Sequence, residues 1–199
     1  ERATLMWMMA ESKTNLGQGQ EAMRLLRGAE QLINQAMEDE LDIRVHLRTG
    51  RLAAALALLE RRAGDQAGET AGGAAVRRPP RSHRETQLLL SLAYCLIGQG
   101  DRAVASARAG IRLGQELRSP FVEAVGYMRL GHALRISATP VGITAEECYR
   151  RALSICDGLR LTRGRAEPLM GLAMLHAAAG DVDAATAEAA EALAICRAA

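Results

Sequence analysis

Turn signals recur along this chain at short intervals: Gly17–Gly19, Gly50, Gly98–Asp101, the Ser137–Thr144 stretch and Gly180–Asp181. Each lies between two segments whose apolar residues fall at i, i+3, i+4 and i+7, the spacing of one helix face. The pattern confines the chain to helical hairpins in series. A lone hairpin leaves one apolar face uncovered, so units of this kind are stable only when they stack on one another.

The last unit is the clearest. Leu169, Leu172 and Ala173 share a face of its first helix, Gly180–Asp181 makes the turn, and Ala185, Ala189 and Ala192 line the second helix. Glycine suits the left-handed position that ends a helix, and aspartate caps the next by accepting from its free N–H groups. About 80 residues earlier Leu89, Leu92 and Ala93 precede Gly100–Asp101, with Ala105 and Ala109 following. Between them Tyr127, Leu130 and Gly131 are followed by Ala145, Tyr149 and Ala152, and Thr144 with Glu147 forms a capping box that restarts the helix. Near the start, Met6, Met9 and Ala10, then Gly17, then Ala22, Leu26 and Ala29 repeat the scheme. A shorter pair turns at Gly50, with Ala55 and Leu59 beyond. The anchors Ala93, Gly131 and Ala173 are 38 and 42 residues apart. Small residues there let antiparallel helices approach closely. The expected fold is all-α, a right-handed superhelix of about five antiparallel hairpins.

From Gly64 to Pro80 the periodicity stops, giving way to Gly, Ala, Thr and Gln and then Arg77-Arg78-Pro79-Pro80-Arg81. Glycines and a proline pair oppose a regular helix. The expected organisation is therefore two hairpins at 1–63, a flexible basic linker loop at 64–81, and three hairpins at 82–199. Ser82 and Glu85 form a capping box where helices resume. Arg77, Arg78, Arg81, Arg84 and His83 make the densest basic cluster, but no aromatics interleave it and the net charge is only +2. It reads as a solvated linker, with no direct nucleic-acid contact.

Exclusions follow from composition. The apolar 49% is mostly Ala and Leu, strong helix formers, with 3% aromatics. The longest apolar run, Leu52–Leu59, is far short of the roughly 20 residues of a membrane span. No signal-peptide pattern opens the chain, and its start at Glu1 suggests a segment of a longer protein. Cys95, Cys148, Cys156 and Cys196 form no C-x-x-C pair and read as reduced core thiols, in keeping with a cytoplasmic location. Lys13 is the only lysine, so no phosphate loop is present. His46, His83, His132 and His176 are isolated, and no nucleophile elbow occurs. Neither a metal, a cofactor nor an enzymatic activity is expected.

In stacked hairpins the first helices line one side, and positions just off the packing face point into a groove. That offset selects Gln87, Leu90, Tyr94 and Ile97, then Val125, Met128, His132 and Arg135, then Glu167, Met170, Met174 and Ala177. Side by side, Tyr94, His132 and Met174 become neighbours, as do Leu90, Met128 and Met170, with Gln87 and Glu167 at one end. A methionine-rich apolar floor with few polar groups suits a peptide, a protein helix or a small effector. The alternative is that these side chains fill a tightly wound stack and bind nothing. Arg129 and Glu123 are candidates for ion pairs between hairpins. Trp7, amid Leu5, Met6, Met8 and Met9, packs within the first hairpin, on an element beyond this segment or on a second copy, and the Ala-rich last helix is the other candidate surface for homodimerisation.

The order Leu or Tyr, Leu, Gly or Ala, Gly-Asp, Ala, Ala resembles the tetratricopeptide pattern over nearly the whole chain, in units longer than the usual 34 or so residues. More narrowly, the stretch from Ser119-Pro120-Phe121-Val122-Glu123 to Tyr127-Met128-Arg129-Leu130-Gly131-His132-Ala133, with Arg163-Gly164-Arg165-Ala166-Glu167-Pro168-Leu169-Met170-Gly171-Leu172, is similar to the repeat region of large bacterial LuxR-type or maltose-activator-like transcriptional regulators, the bacterial transcriptional activator domain. The resemblance implies an NTPase module ahead of the repeats, and repeats that sense an inducer or mediate assembly.

Overall fold

The computed structural model of the chain describes residues 9–14, 17–29, 35–71, 81–139 and 142–198; at 28, 29, 35–40, 65–71 and 81–84 it describes the backbone alone. Every regular element among these residues is helical, so the fold is all-α. The chain divides into two compact units, Glu1–Val76 and Arg77–Ala199, at a point inside the interval that the sequence marks as a break.

In the first unit, α1 (helical at residues 9–14), α2 (Gly19–Ala29), α3 (Gln35–Arg48) and α4 (Leu52–Ala71) follow one another. Ala10, Ala22, Leu26, Leu41 and Val45 form the core, with Met23 and Leu25 packed against it. Ala55 and Leu59 are fully buried, as the Gly50 hairpin requires. One boundary differs from expectation: α4 runs on to Ala71, through the start of the expected loop. Gly64 and Gly68 each cost about 1 kcal/mol in a helix, and Asp65, Gln66 and Ala67 between them continue it. The proline pair lies beyond its end. Residues 72–80, Met6 and Trp7 lie outside the described residues, and so do the side chains of Arg81, His83 and Arg84.

The second unit comprises α5 (Arg81–Leu96), α6 (Gly100–Glu116), α7 (Pro120–Leu134), α8 (Ala145–Gly158), a 3-10 turn at Thr162–Arg165, α9 (Ala166–Ala179) and α10 (Val182–Arg197). Consecutive helices are packed, and they run antiparallel. Along α6 from its start, Gly100 lies against Ile136 and Ser137, Ile111 against Gly126, and Gly114 against Glu123, so partners step backwards along α7. The hydroxyl of Ser91 donates to the Ala103 carbonyl at 2.9 Å, joining α5 to α6. Helices two apart also touch, α5 with α7 and α7 with α9.

Sharp helix ends make these short returns feasible. Gly98 and Gly180 adopt φ of +77° and +83°. There the N–H of the following residue reaches back one full turn, Gln99 to Tyr94 O at 2.8 Å and Asp181 to His176 O at 2.9 Å. Arg118 and Arg160 take the same left-handed conformation, with the same backward bonds from Ser119 and Leu161. Restarts use the expected caps in two places. Thr144 and Glu147 form a reciprocal capping box, and Asp181 accepts from Ala184 N.

The α5–α6 turn corrects the register read from Gly100–Asp101. Gly98 is the left-handed residue and Gln99 the N-cap, so Gly100 and Asp101 already lie inside α6. Gly100 is small because a Cβ there would sit 2.5 Å from Ser137 N, and Asp101 accepts from the Ser137 hydroxyl. Consequently Ala103, Val104 and Ala107 are buried, while Ala105 is exposed and Ala109 half-buried.

Two helices close tightly on Tyr149, which is fully buried. A Cβ on Gly131 of α7 would lie 2.6 Å from its ring, and one on Gly171 of α9 only 2.5 Å. Gly171→Ala is therefore expected to destabilise the protein by about 1–3 kcal/mol through overpacking. Gly158→Ala, with nothing within 4 Å, serves as the control and should be neutral or slightly stabilising. Thermal denaturation of the two variants beside the parent checks this; equal losses in both would refute the assignment.

Candidate functional site

The polar groups that converge most closely lie where α7 and α9 run side by side over α8. A half-buried His132, in the last turn of α7, is held on both ring nitrogens. Its Nδ1 is 2.8 Å from the Tyr149 hydroxyl, and its Nε2 is 3.0 Å from Glu167 Oε1. The imidazole meets the Tyr149 ring edge-on, with centroids 5.3 Å apart. An ionised carboxylate only accepts, so Nε2 carries the hydrogen toward Glu167 and, in that neutral tautomer, Nδ1 accepts from the phenol. One turn earlier, Arg129 donates to the same Glu167 oxygen. One turn later, Arg135 reaches the sulfur of Met174 at 3.3 Å.

Electrostatics follow from this arrangement. Burial pushes the Glu167 carboxyl up, but the His132 hydrogen bond and the Arg129 charge outweigh it and hold the group at about 2. Burial pushes the Tyr149 phenol up to about 12, opposed by a hydrogen bond from Arg135. The thiols beneath behave alike: burial raises Cys148 to about 12 and Cys95 to about 11, and raises Cys156 as well. These three are protonated packing groups at neutral pH, whereas Cys196 is exposed on α10.

Beside the network a cleft of about 270 Å³ opens between α7, α8, the 3-10 turn and the start of α9. Phe121, Ala124, Val125 and Met128 supply its α7 wall, Ala152 and Cys156 its α8 wall, and Gly164 its turn. Arg129, Arg163 and Glu167 add charge. An apolar floor bordered by two guanidinium groups and one carboxylate can take an apolar side chain or a short tail carrying a polar head.

The expected groove is only partly assembled. His132 and Glu167 do meet, and Arg135 meets Met174, but Leu90, Tyr94 and Met128 are buried. Tyr94 lies beneath the Arg102 guanidinium, 4.4 Å from its ring centroid, and Gln87 is half-buried on α5. Met170, Met174 and Ala177 face a second groove between α9 and α10. The common offset fails because α5 and α7 are covered by neighbouring helices and α9 is more open. Both residues expected to bridge hairpins do so: Arg129 pairs with Glu167 of α9, and Glu123 accepts a hydrogen bond from Gln115 Nε2 of α6 at 3.1 Å in place of an ion pair. Tyr149 is the member that sequence reasoning placed as a packing anchor alone. The signal for its wider role was the pair Gly131 and Gly171 at mid-helix positions, both making room for one ring.

Glu167 has a depressed folded-state value, so its contribution to stability is present above about 4.5, the ordinary glutamate value, and is lost as pH falls toward about 2. Its side chain is 44% exposed, and solvent screening limits the effect to about 1 kcal/mol or less. Glu167→Gln should melt below the parent at pH 7, with the gap closing between pH 4.5 and 2, as melts across that range would show. No protein-family model matches the chain, and no curated protein matches it significantly.

Proposed function

We propose that the chain is a helical-repeat interaction domain of a bacterial transcriptional regulator, cytoplasmic and non-enzymatic, that binds a protein, peptide or small effector. In this reading its hairpins wind as a right-handed, tetratricopeptide-like superhelix, and the α7–α9 face lies in the concave groove. One observation carries the reading: the apolar cleft of about 270 Å³ lies directly against the Arg129–Glu167–His132–Tyr149 network. A ligand carboxylate entering there competes with Glu167 for Arg129. Exchange of that partner links occupancy to the contact between α7 and α9, as a sensor domain requires. The resemblance of residues 119–133 and 163–172 to regulator repeats supports the same assignment.

A second reading, a structural scaffold or oligomerisation module without an effector, draws on the burial of Leu90 and Tyr94, which fill the stack instead of lining a groove.

Equilibrium binding to arrayed short peptides and to small carboxylates with apolar tails separates the two. Val125→Trp, at a half-buried cleft position, fills the space, and Arg129→Gln removes the anion partner. Ligands of the parent should lose about tenfold in affinity or more in each variant, a difference of about 1.4 kcal/mol. Equal binding by parent and variants would eliminate the cleft as the site, and absence of any saturable ligand would favour the scaffold.

A further inference from the structure

His132 sits between an obligate acceptor and a group that can exchange roles. Glu167 on α9 accepts from its Nε2 at 3.0 Å, and the Tyr149 hydroxyl on α8 lies 2.8 Å from its Nδ1. A hydroxyl donates to a neutral ring and accepts from a charged one, so the imidazole can gain a proton and keep both partners. On its own helix Arg129 stands one turn before it and Arg135 one turn after. The first holds Glu167; the second bonds the Tyr149 hydroxyl and the Met174 sulfur. On α5 the Cys95 thiol lies near Arg129 and Tyr149, and burial keeps it neutral. Two guanidinium groups and one carboxylate thus surround the ring. An anion added beside Arg129 tips that balance toward a charged imidazole.

The adjoining cleft defines the chemistry of that anion. At about 270 Å³ it falls below the roughly 300–1,000 Å³ of pockets for drug-sized ligands, so it admits a small molecule and not a folded partner. Phe121, Val125 and Met128 of α7 and Ala152 and Cys156 of α8 offer no strong hydrogen bond, so most of the occupant is apolar. The charged lining is Arg129, Arg163 and Glu167, an excess of positive charge that selects one anionic group. A guanidinium fork matches a planar carboxylate, and Glu167 already shows Arg129 holding one.

We propose that the cleft binds a small monocarboxylate with an alkyl or aryl tail, and that His132 takes up a proton as the ligand head displaces Glu167 from Arg129. The proposal rests on the cleft being the binding site, as argued above. Once Arg129 serves the ligand, Glu167 is left to His132, and an imidazolium compensates its charge where a neutral ring does not. The proton comes from solvent to Nδ1, and the Tyr149 hydroxyl turns from donor to acceptor. Anion and proton therefore bind together, and affinity rises as pH falls through the range in which imidazoles titrate.

Octanoate and phenylacetate are the probes and octanamide the uncharged control. Each is titrated calorimetrically into the full chain from about pH 8 to about pH 6, where carboxylic acids of this kind stay ionised. Both acids should bind saturably and the amide about tenfold more weakly or less. Affinity for the acids should rise about threefold or more over this range, with net proton uptake measured in buffers of differing ionisation enthalpy. His132→Gln keeps a donor toward Glu167 but cannot titrate, so its affinity should not vary with pH; circular dichroism verifies its fold. In the parent, octanoate added at about pH 7 should shift the ring-nitrogen NMR signals of His132 toward the doubly protonated pattern, a readout that needs no variant. Acid binding that Val125→Trp abolishes but that is indifferent to pH, or that keeps its pH dependence in His132→Gln, would overturn the inference and leave the cleft as the site. Equal binding of octanoate and octanamide would do the same. Absence of saturable binding by either acid would overturn it as well, and peptide binding weakened by Val125→Trp would then show the cleft to serve another ligand.

Discussion

The carboxy-terminal unit depends on the close approach of three helices to one aromatic ring. Tyr149 is fully buried between α7 and α9, and that approach exists because Gly131 and Gly171 present no Cβ to it. Protein interiors are packed as densely as organic crystals, so removing two methyl-sized volumes admits a ring that would otherwise hold the helices apart. Elsewhere in the stack the same device recurs in weaker form, with Gly126 on Ile111 and Gly110 on Leu88.

A buried phenol needs a partner for its hydroxyl, and this one requirement organises the neighbouring polar groups. Tyr149 takes His132, His132 takes Glu167, and Glu167 takes Arg129. The chain of bonds crosses from α8 to α7 to α9, so packing and electrostatics reinforce one another at the junction of two hairpins. It also places charge beside the apolar cleft. A fold whose helix interfaces rest mostly on alanine, glycine and leucine thereby acquires a polar site.

Around α10 the same logic is left half complete. Its register matches that of α6 and α8, yet its face holds Ala185, Thr186 and Leu193 where α8 holds Cys148, Tyr149 and Cys156. The buried face of α8 has helices on both sides, whereas among the described residues the face of α10 is covered by α9 alone.

Much of the fold was legible in residues acting locally. Helical periodicity, the left-handed turn at Gly180 with its Asp181 cap, and the Thr144–Glu147 box depend on contacts within a few residues, so the sequence alone determined them. Longer-range effects overrode local cues elsewhere. Gly100–Asp101 imitates Gly180–Asp181 in sequence, but Gly98 ends the helix while Gly100 admits the backbone at Ser137. Gly64 and Gly68 look like loop residues and lie within α4. The site divided in the same way. His132 and Glu167 were recognisable as polar groups on neighbouring first helices, whereas the burial of Leu90, Tyr94 and Met128 was not. Periodicity defines which residues share a face; only the positions of neighbouring helices decide whether that face is covered. Tertiary structure therefore decided what is core and what is surface, because burial depends on the groups opposite and not on the residue's own spacing.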